Sequence, residues 1–331
     1  MGAEAVFYRK VTSDFILKTH VPEIKVYAKV VNDDGLERFV HDLTYSSATR
    51  QEVLDMLSLS QDRDFFIHED TLIQHYHNLL KKLQENLGKL GSGQSQLKAI
   101  YLLTEEIMRE YFERIGSARI LRTQDDLVNT LDQCVVENKF TFTDIYKITN
   151  KDHNLHTHCA NVGLYCLVFG IVSHLSAPAR RDLFLGGVFS DIGKKIIPDG
   201  IKFKKAKLTP EEFKEIRKHP AASRKALNDM KHYSEDILRI TGEHHEKFNG
   251  QGYPRGLSGE NISMLARVCS LMDVFAALTS DRTHRSRLNP MDVFLIMKKE
   301  MTGSFDERIF SNFIKMLAPA APQQKTANPH F

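Results

Sequence analysis

The C-terminal half of the chain carries several side chains of the kinds that bind transition metals. They are His158, Asp191, His219, His244, His245 and Asp273. Imidazole and carboxylate ligands suit iron, manganese or zinc, and an aspartate can bridge two such ions. A pair of ions roughly 3.5–4 Å apart can clamp a phosphodiester for in-line attack. These residue types therefore favour a binuclear site for phosphoester chemistry.

Taken singly, most of these residues also have an ordinary structural explanation. A lone histidine near an apolar run is more often a hydrogen-bonded core residue than a ligand, and Asp191 could simply end a helix. Asp273 is harder to explain in this way, because burying an unpaired carboxylate within an apolar helix is costly. His244 and His245 are adjacent, and two neighbouring imidazoles are favourable only when both stay neutral. A divalent ion would account for both features.

Three cations lie close to this set in the sequence. Lys194 follows Asp191 by one helical turn, so both side chains can face the same cleft. Arg282 and Arg285 come just after the helix of Asp273. Arginines at this spacing are well placed to hold phosphate oxygens.

Helices must position these residues, because residues 141–318 show repeated helical spacing and almost no β-alternation. The first part of the chain differs. Alternation over Glu23–Val31, a turn at residues 33–35 and renewed alternation over Leu36–Leu43 predict a β-hairpin. We therefore predict a mostly α protein. Its parts are a small α+β domain over residues 1–85, a helical connector over 86–140, a helical metal-binding domain over 141–318 and a disordered tail over 319–331.

Composition excludes some classes of protein. The 331 residues include 45 basic and 42 acidic side chains, and a surplus of +3 is too small to indicate duplex nucleic-acid binding. The four cysteines form no CxxC pair, which indicates reduced thiols in a cytoplasmic protein. The longest apolar run, over residues 164–172, is shorter than the roughly twenty residues of a membrane span. It predicts a buried helix.

The order of the motifs resembles the HD-GYP family of cyclic diguanylate phosphodiesterases. The matching residues are His158, Ser190–Lys194, His219-Pro220, His244-His245-Glu246, Asn249–Leu257, Asp273 and Ala277–Arg282. The match covers about residues 150–287 and leaves the first 140 residues outside it. The resemblance implies an HD-type helical bundle that holds two divalent ions, iron or, as the alternative, manganese.

The resemblance also implies a role for each residue. Asp191 would bridge the two ions. The other ligands would divide into His219, His244 and His245 at one ion, and His158 and Asp273 at the other. Asp191 and Lys194 would be the catalytic residues. Substrate phosphate would be held by Lys194, Arg282 and Arg285. Tyr253 in the GYP loop could contact substrate or a partner domain, and a structural role for it is equally open.

The implied activity is hydrolysis of cyclic diguanylate by a metal-bound hydroxide, in cytoplasmic signal transduction of a bacterium. The N-terminal domain would then be an input or partner-binding module. Hydrolysis of another nucleotide phosphoester by the same metals is a further possibility.

One departure from the family pattern affects this expectation. Ser190 stands where the family has the histidine of its HD signature, and a serine hydroxyl is a poor ligand for a divalent ion. Asn154 occupies the position at which some family members place a glutamate for a third metal, so we expect two ions. The alternative function is a non-catalytic module, which would bind a cyclic dinucleotide or, through the GYP loop, a diguanylate cyclase (GGDEF) partner.

Overall fold

The structure is a computed structural model that describes residues 8–11, 23–31, 37–46, 64–85, 93–113, 121–149, 154–202, 204, 206–281 and 287–317. The chain divides into two compact units, one of residues 1–87 and 117–130 and the other of residues 88–116 and 131–331. The predicted domain boundaries at residues 85 and 140 stay predictions. The predicted disordered tail lies outside the described residues.

The N-terminal unit contains a four-stranded antiparallel sheet in the order β1-β4-β2-β3. Its strands are β1 (Tyr8–Val11), β2 (Glu23–Val31), β3 (Glu37–Ser46) and β4 (Phe65–His68), and helix α1 (Glu69–Glu85) follows directly. The predicted hairpin is confirmed, since β2 and β3 pair from Glu23 opposite Ser46 to Val31 opposite Glu37. The buried side chains of Ile24 and Val26 alternate along β2, which explains the period-two pattern.

Helices make up most of the rest of the described chain. They are α2 (Gly93–Glu113), α3 (Leu121–Glu137), α4 (Phe142–Ile148), α5 (Leu155–Val172), α6 (Ala177–Phe189), α7 (Asp199–Lys202), α8 (Pro210–Ile216), α9 (His219–Asp229), α10 (Glu235–Glu243), α11 (Met264–Thr279), α12 (Pro290–Glu300) and α13 (Glu307–Leu317). Short 3₁₀ helices cover Ile192–Ile196 and Gly259–Asn261. The predicted mostly α fold with a small N-terminal sheet is confirmed.

Helix α5 forms the centre of the C-terminal unit because it is apolar on nearly every face. By length and composition it could cross a membrane, but 78% of it is buried inside the structure, as expected of a core helix. It lies unusually close to α6, since a Cβ atom on Gly163 would stand only 2.3 Å from Val188 Cγ2. This close packing brings the first turn of α5, with His158, towards the end of α6, where Asp191 follows.

Helix α2 braces the polar start of α5. The Tyr101 hydroxyl donates to Asn161 Oδ1 at 2.8 Å, and the Thr157 hydroxyl donates to Glu105 Oε1 at 2.6 Å. All four side chains are buried, so these hydrogen bonds satisfy polar groups that would otherwise destabilise the fold. They also fix the turn of α5 that carries His158.

Candidate metal centre

Asp191 lies between α6 and the 3₁₀ helix Ile192–Ile196, and it is completely buried. Its two carboxylate oxygens face different partners. Oδ1 lies 3.1 Å from His219 Nε2 and 3.9 Å from His244 Nε2. Oδ2 lies 2.6 Å from Lys194 Nζ and 3.6 Å from His158 Nε2. A single carboxylate thus faces two separate groups of side chains.

The six side chains singled out in the sequence come together in these two groups. The four-residue cluster consists of Asp191, His219, His244 and His245. The three-residue cluster consists of His158, Asp191 and Asp273. Within each cluster, the potential ligand atoms all lie within 4.8 Å of one another. The geometry is compatible with two ions that share Asp191, and the ligand roles stay a prediction.

Backbone carbonyls orient two imidazoles of the four-residue cluster. His219 Nδ1 lies 2.7 Å from the Ile216 carbonyl oxygen, and His244 Nδ1 lies 2.9 Å from that of Thr241. A ring that donates from Nδ1 presents the lone pair of Nε2, which is the usual arrangement of a metal-binding histidine. The two Nε2 atoms are only 3.3 Å apart. Asp191 Oδ1, which faces them, is buried and accepts no hydrogen bond of regular geometry among the described residues. Electron-pair donors that converge in this way fit a cation.

Burial keeps the adjacent His244 and His245 neutral. It lowers the pKa of His244 to about 4, and the nearby His219 adds to the effect. Burial, followed by the charge of His244, also holds the pKa of His245 well below its ordinary value. Neutral imidazole is the form that coordinates metal ions. The adjacent histidines are therefore ready to act as ligands at neutral pH.

The three-residue cluster is held by a buried pair, His158 and Asp273. His158 Nε2 lies 2.9 Å from Asp273 Oδ1. Burial alone would raise the pKa of Asp273, but the hydrogen bond and charge of His158, together with His245, outweigh it and lower that pKa. Asp273 is thus an ionised carboxylate that is paired with His158, and this pairing offsets the cost of burying its charge. His158 Nδ1 is buried and has no hydrogen-bond partner in the described part of the chain.

Ser190 does not point its hydroxyl at either cluster. The side chain is buried, and its Oγ donates to the Gly187 carbonyl oxygen at 2.9 Å, back along α6. Asn154, at the position where some family members have a glutamate for a third metal, accepts from the Thr157 amide through Oδ1 and caps α5. His156 lies in α5 and belongs to neither cluster. The three-residue cluster therefore contains one imidazole and two carboxylates.

A serine that the sequence did not single out fixes the Asp191 segment. Ser223 Oγ donates to the Ser190 carbonyl oxygen at 2.6 Å and accepts from the Gly193 amide at 2.8 Å. A Cβ atom on Gly193 would stand 2.2 Å from the His219 carbonyl oxygen, so the absence of a side chain permits this close approach. Ser223 lies in an unremarkable helical segment, and no sequence signal indicates its role.

Lys194 contacts the shared carboxylate directly, as its spacing predicted. Burial by itself would lower the pKa of Lys194, but the charges of Asp191 and Asp273 outweigh it and raise that pKa. Burial would likewise raise the pKa of Asp191, yet Lys194, His219 and His158 together hold it well below its ordinary value. Arg282 and Arg285 lie outside the described residues, so their roles stay predictions.

The GYP loop folds back towards the four-residue cluster. Its anchor is Glu246, whose carboxylate accepts from the amides of Arg255 at 2.7 Å and Leu257 at 3.0 Å. Gly252 fits because a Cβ atom there would stand 2.3 Å from the Lys247 nitrogen. The result is that the ring of Tyr253 stacks on that of His245, with centroids 4.7 Å apart and an interplanar angle of 30°.

Sequence reasoning also missed Arg217. The central carbon of its guanidinium lies 4.9 Å from the centroid of the Tyr253 ring, on an exposed part of the surface. The available signal was its position two residues before His219, which places it near any ligand of that histidine. The arrangement as a whole can hold divalent cations and, beside them, an anionic substrate.

Comparison with known proteins agrees with this geometry. Residues 145–309 match the HD domain family. A cyclic di-GMP phosphodiesterase of Pseudomonas aeruginosa is 32% identical over 202 residues, which are 61% of this chain and 49% of that protein. A 3'3'-cGAMP-specific phosphodiesterase of Vibrio cholerae is 33% identical over 207 residues, which are 62% of this chain and 44% of that protein. The chain thus spans about half the length of these relatives.

The fold also has a solved counterpart. An HD-GYP-type protein from Bdellovibrio bacteriovorus superposes with a TM-score of 0.63, at 19% identity, over 95% of this chain and 99% of that one. The helical domain, the matched residues 145–309 and the order of the motifs all lead to the same assignment. Residues 145–309 belong to the HD domain family, and the relatives together with the order of the motifs support its HD-GYP branch.

Proposed function

We propose that the chain is a metal-dependent phosphodiesterase that hydrolyses a cyclic dinucleotide, cyclic diguanylate in particular. The observation that carries this proposal is the shared carboxylate of Asp191, whose two oxygens face two clusters of potential ligands. The activities named for the relatives support the same reaction class.

The roles of the residues follow from their positions. Two divalent ions, iron or alternatively manganese, would supply an activated water and neutralise charge on the phosphate. The four-residue cluster would hold one ion and the three-residue cluster the other. Lys194, at the rim of both, would donate to a phosphate oxygen and stabilise the charge that develops there. Arg282 and Arg285 would bind substrate phosphate, and Tyr253 would line the substrate site.

Elemental analysis of protein purified without chelators, combined with an assay of cyclic diguanylate hydrolysis, tests the proposal. We expect about two equivalents of iron or manganese and turnover that stops when the metal is removed. Metal-replete protein that leaves cyclic diguanylate intact would contradict the enzyme proposal. Separation of the linear dinucleotide from GMP in the same assay identifies the product.

A second candidate function is favoured by the hydroxyl of Ser190, which bonds to Gly187 instead of facing the three-residue cluster. In this case the chain would bind a cyclic dinucleotide, or a diguanylate cyclase partner through the GYP loop, without turnover. Equilibrium binding of cyclic diguanylate in excess Mn²⁺, with no product formed, would support this candidate. In either case we propose a cytoplasmic bacterial signalling protein with an N-terminal input domain.

A further inference from the structure

A row of stacked side chains leads from the four-residue cluster to the protein surface. The imidazole of His245 stacks on the ring of Tyr253. The guanidinium of Arg217 also lies over the Tyr253 ring, 4.9 Å from its centroid. The same guanidinium is 6.0 Å from the centroid of the Phe213 ring. The row therefore ends in an aromatic ring and a cation that both face solvent.

Local structure holds Phe213 and Arg217 on the same face. Helix α8 begins with a capping box in which Thr209 and Glu212 exchange hydrogen bonds. Its C-cap is Arg217, whose amide donates to the Phe213 carbonyl at 3.0 Å. The two side chains are thus one turn apart. Phe213 is 47% exposed, although an aromatic ring of this size gains from burial. An exposed aromatic ring beside the candidate metal centre indicates a surface that can bind a ligand.

The charge of Arg217 is available for a ligand. Lys204 and Lys218, on either side of it in the sequence, form ion pairs with Glu212 and Glu215. Among the residues that the structure describes, no carboxylate lies within 4 Å of the Arg217 guanidinium. Stacking on Tyr253 occupies one face of the guanidinium and leaves its N–H groups free to donate in the plane.

Position decides which group of a substrate Arg217 could contact. The ring of Tyr253 contacts both the Arg217 guanidinium and the ring of His245, so Arg217 lies one side chain further out than this member of the four-residue cluster. We therefore assign Arg217 to a group of the substrate outside the reacting phosphate. A cyclic dinucleotide has a second phosphate and two bases outside the reacting centre. Exposed aromatic rings bind bases by stacking, and arginine binds phosphate through charge-assisted hydrogen bonds.

From this juxtaposition we propose that Phe213 and Arg217 form a subsite for the nucleotide that is not being cleaved. Phe213 stacks on its base and Arg217 binds its phosphate. This subsite rests on the proposed function, because it assigns the substrate a second nucleotide next to the metal centre.

Two substrates that differ in size test the subsite. Bis(p-nitrophenyl) phosphate reports the metal centre and one phosphate only, whereas cyclic diguanylate also reaches the subsite. In Arg217→Gln, we expect the ratio of kcat/KM for cyclic diguanylate to that for the nitrophenyl ester to fall about tenfold to a hundredfold. In Phe213→Ala it falls about tenfold. Lys218→Gln, which removes a neighbouring surface cation, is the matched control and keeps the wild-type ratio.

Equilibrium binding distinguishes the subsite from the catalytic proposal. Calorimetry of cyclic diguanylate with Mn²⁺-loaded protein shows weaker binding to Arg217→Gln and an unchanged metal content, whether or not wild-type protein turns the ligand over. Arg217→Lys, which keeps the charge but loses the planar stack, recovers part of the affinity. An equal loss on both substrates, or an unchanged ratio and affinity, overturns the subsite. Wild-type protein that hydrolyses the nitrophenyl ester but neither binds nor hydrolyses cyclic diguanylate overturns both proposals.

Discussion

The four-residue and three-residue clusters share Asp191 but differ in almost every other respect. The first has three imidazoles, two of them oriented by the carbonyls of Ile216 and Thr241. The second has one imidazole and two carboxylates. Ser190 occupies the position at which the family pattern has a further histidine, and its hydroxyl bonds to Gly187. Imidazole ligands suit ions such as iron and zinc, whereas carboxylate ligands suit magnesium, calcium and manganese. We therefore expect the two clusters to bind metal ions with unequal affinity.

The comparison teaches that proximity alone does not make a ligand. Ser190 directly precedes Asp191, whose carboxylate the two clusters share, and is buried beside it, yet its hydroxyl bonds to its own helix. His244, by contrast, is 53 positions away from Asp191 in the sequence and points Nε2 towards it. The direction of the side chain, set by its element, decides which cluster is complete.

The largest expected effect removes both clusters at once. Asp191→Asn replaces the shared carboxylate by an amide, which is a much weaker ligand, so we expect loss of both ions and a fall of more than about a hundredfold in turnover. Elemental analysis and the hydrolysis assay check this. The control is Asp229→Asn, because the carboxylate of Asp229 pairs with Lys225 on the surface. This variant should keep the metal content and the turnover of the wild-type protein. A metal-replete Asp191→Asn protein would rule out the bridging role.

The next effect separates the two clusters. His219→Ala removes a ligand of the nitrogen-rich side and should weaken binding of the tighter ion by at least about a hundredfold, whereas His158→Ala should remove the weaker ion and spare the tighter one. Calorimetric titration of each metal-free variant with Mn²⁺ measures the affinity for the tighter ion and for the weaker ion. If the two variants lose the same ion, the inequality between the clusters is wrong.

A smaller effect concerns pH and the four-residue cluster in metal-free protein. The folded pKa of His244, about 4, lies below the ordinary value of 6.5, so between these values the unfolded chain binds a proton that the folded chain does not. The free energy of unfolding is therefore highest above pH 6.5 and falls as the pH drops towards 4. Between pH 7 and pH 5 we expect a loss of roughly 2 kcal/mol from this group.

Urea unfolding at several pH values measures this loss. His244→Gln should flatten the dependence, and His232→Gln, at an exposed position, should leave it unchanged. Identical slopes in all three proteins would show that burial of His244 does not govern the pH response of the fold.

The smallest effect comes from the residue that distinguishes the family pattern from this chain. Ser190→Ala removes a hydroxyl that bonds to Gly187, so metal content should stay at the wild-type level. Ser190→His offers the missing imidazole and should tighten the weaker ion by about tenfold. Metal titration of both variants checks this, and loss of metal from Ser190→Ala would mean that the hydroxyl is a ligand after all.

Much of the fold was predictable because its signals are local. The alternation in Glu23–Val31 predicted a strand, and the apolar run after His158 predicted a buried helix; both are confirmed. Helix spacing also predicted that Lys194 and Asp191 share a face, and their charged atoms lie 2.6 Å apart. Such patterns depend on the periodicity of a single element, which a sequence displays directly.

The sequence by itself also determined the set of potential ligands, their order along the chain and the departure at Ser190. Only the tertiary structure decided how they are grouped. The pairing of His158 with Asp273 joins residues 115 positions apart. The bond from Ser190 to Gly187, the link through Ser223 and the row from His245 to Arg217 depend on how packed helices direct their side chains. Those directions result from close packing between distant elements, which no local pattern encodes.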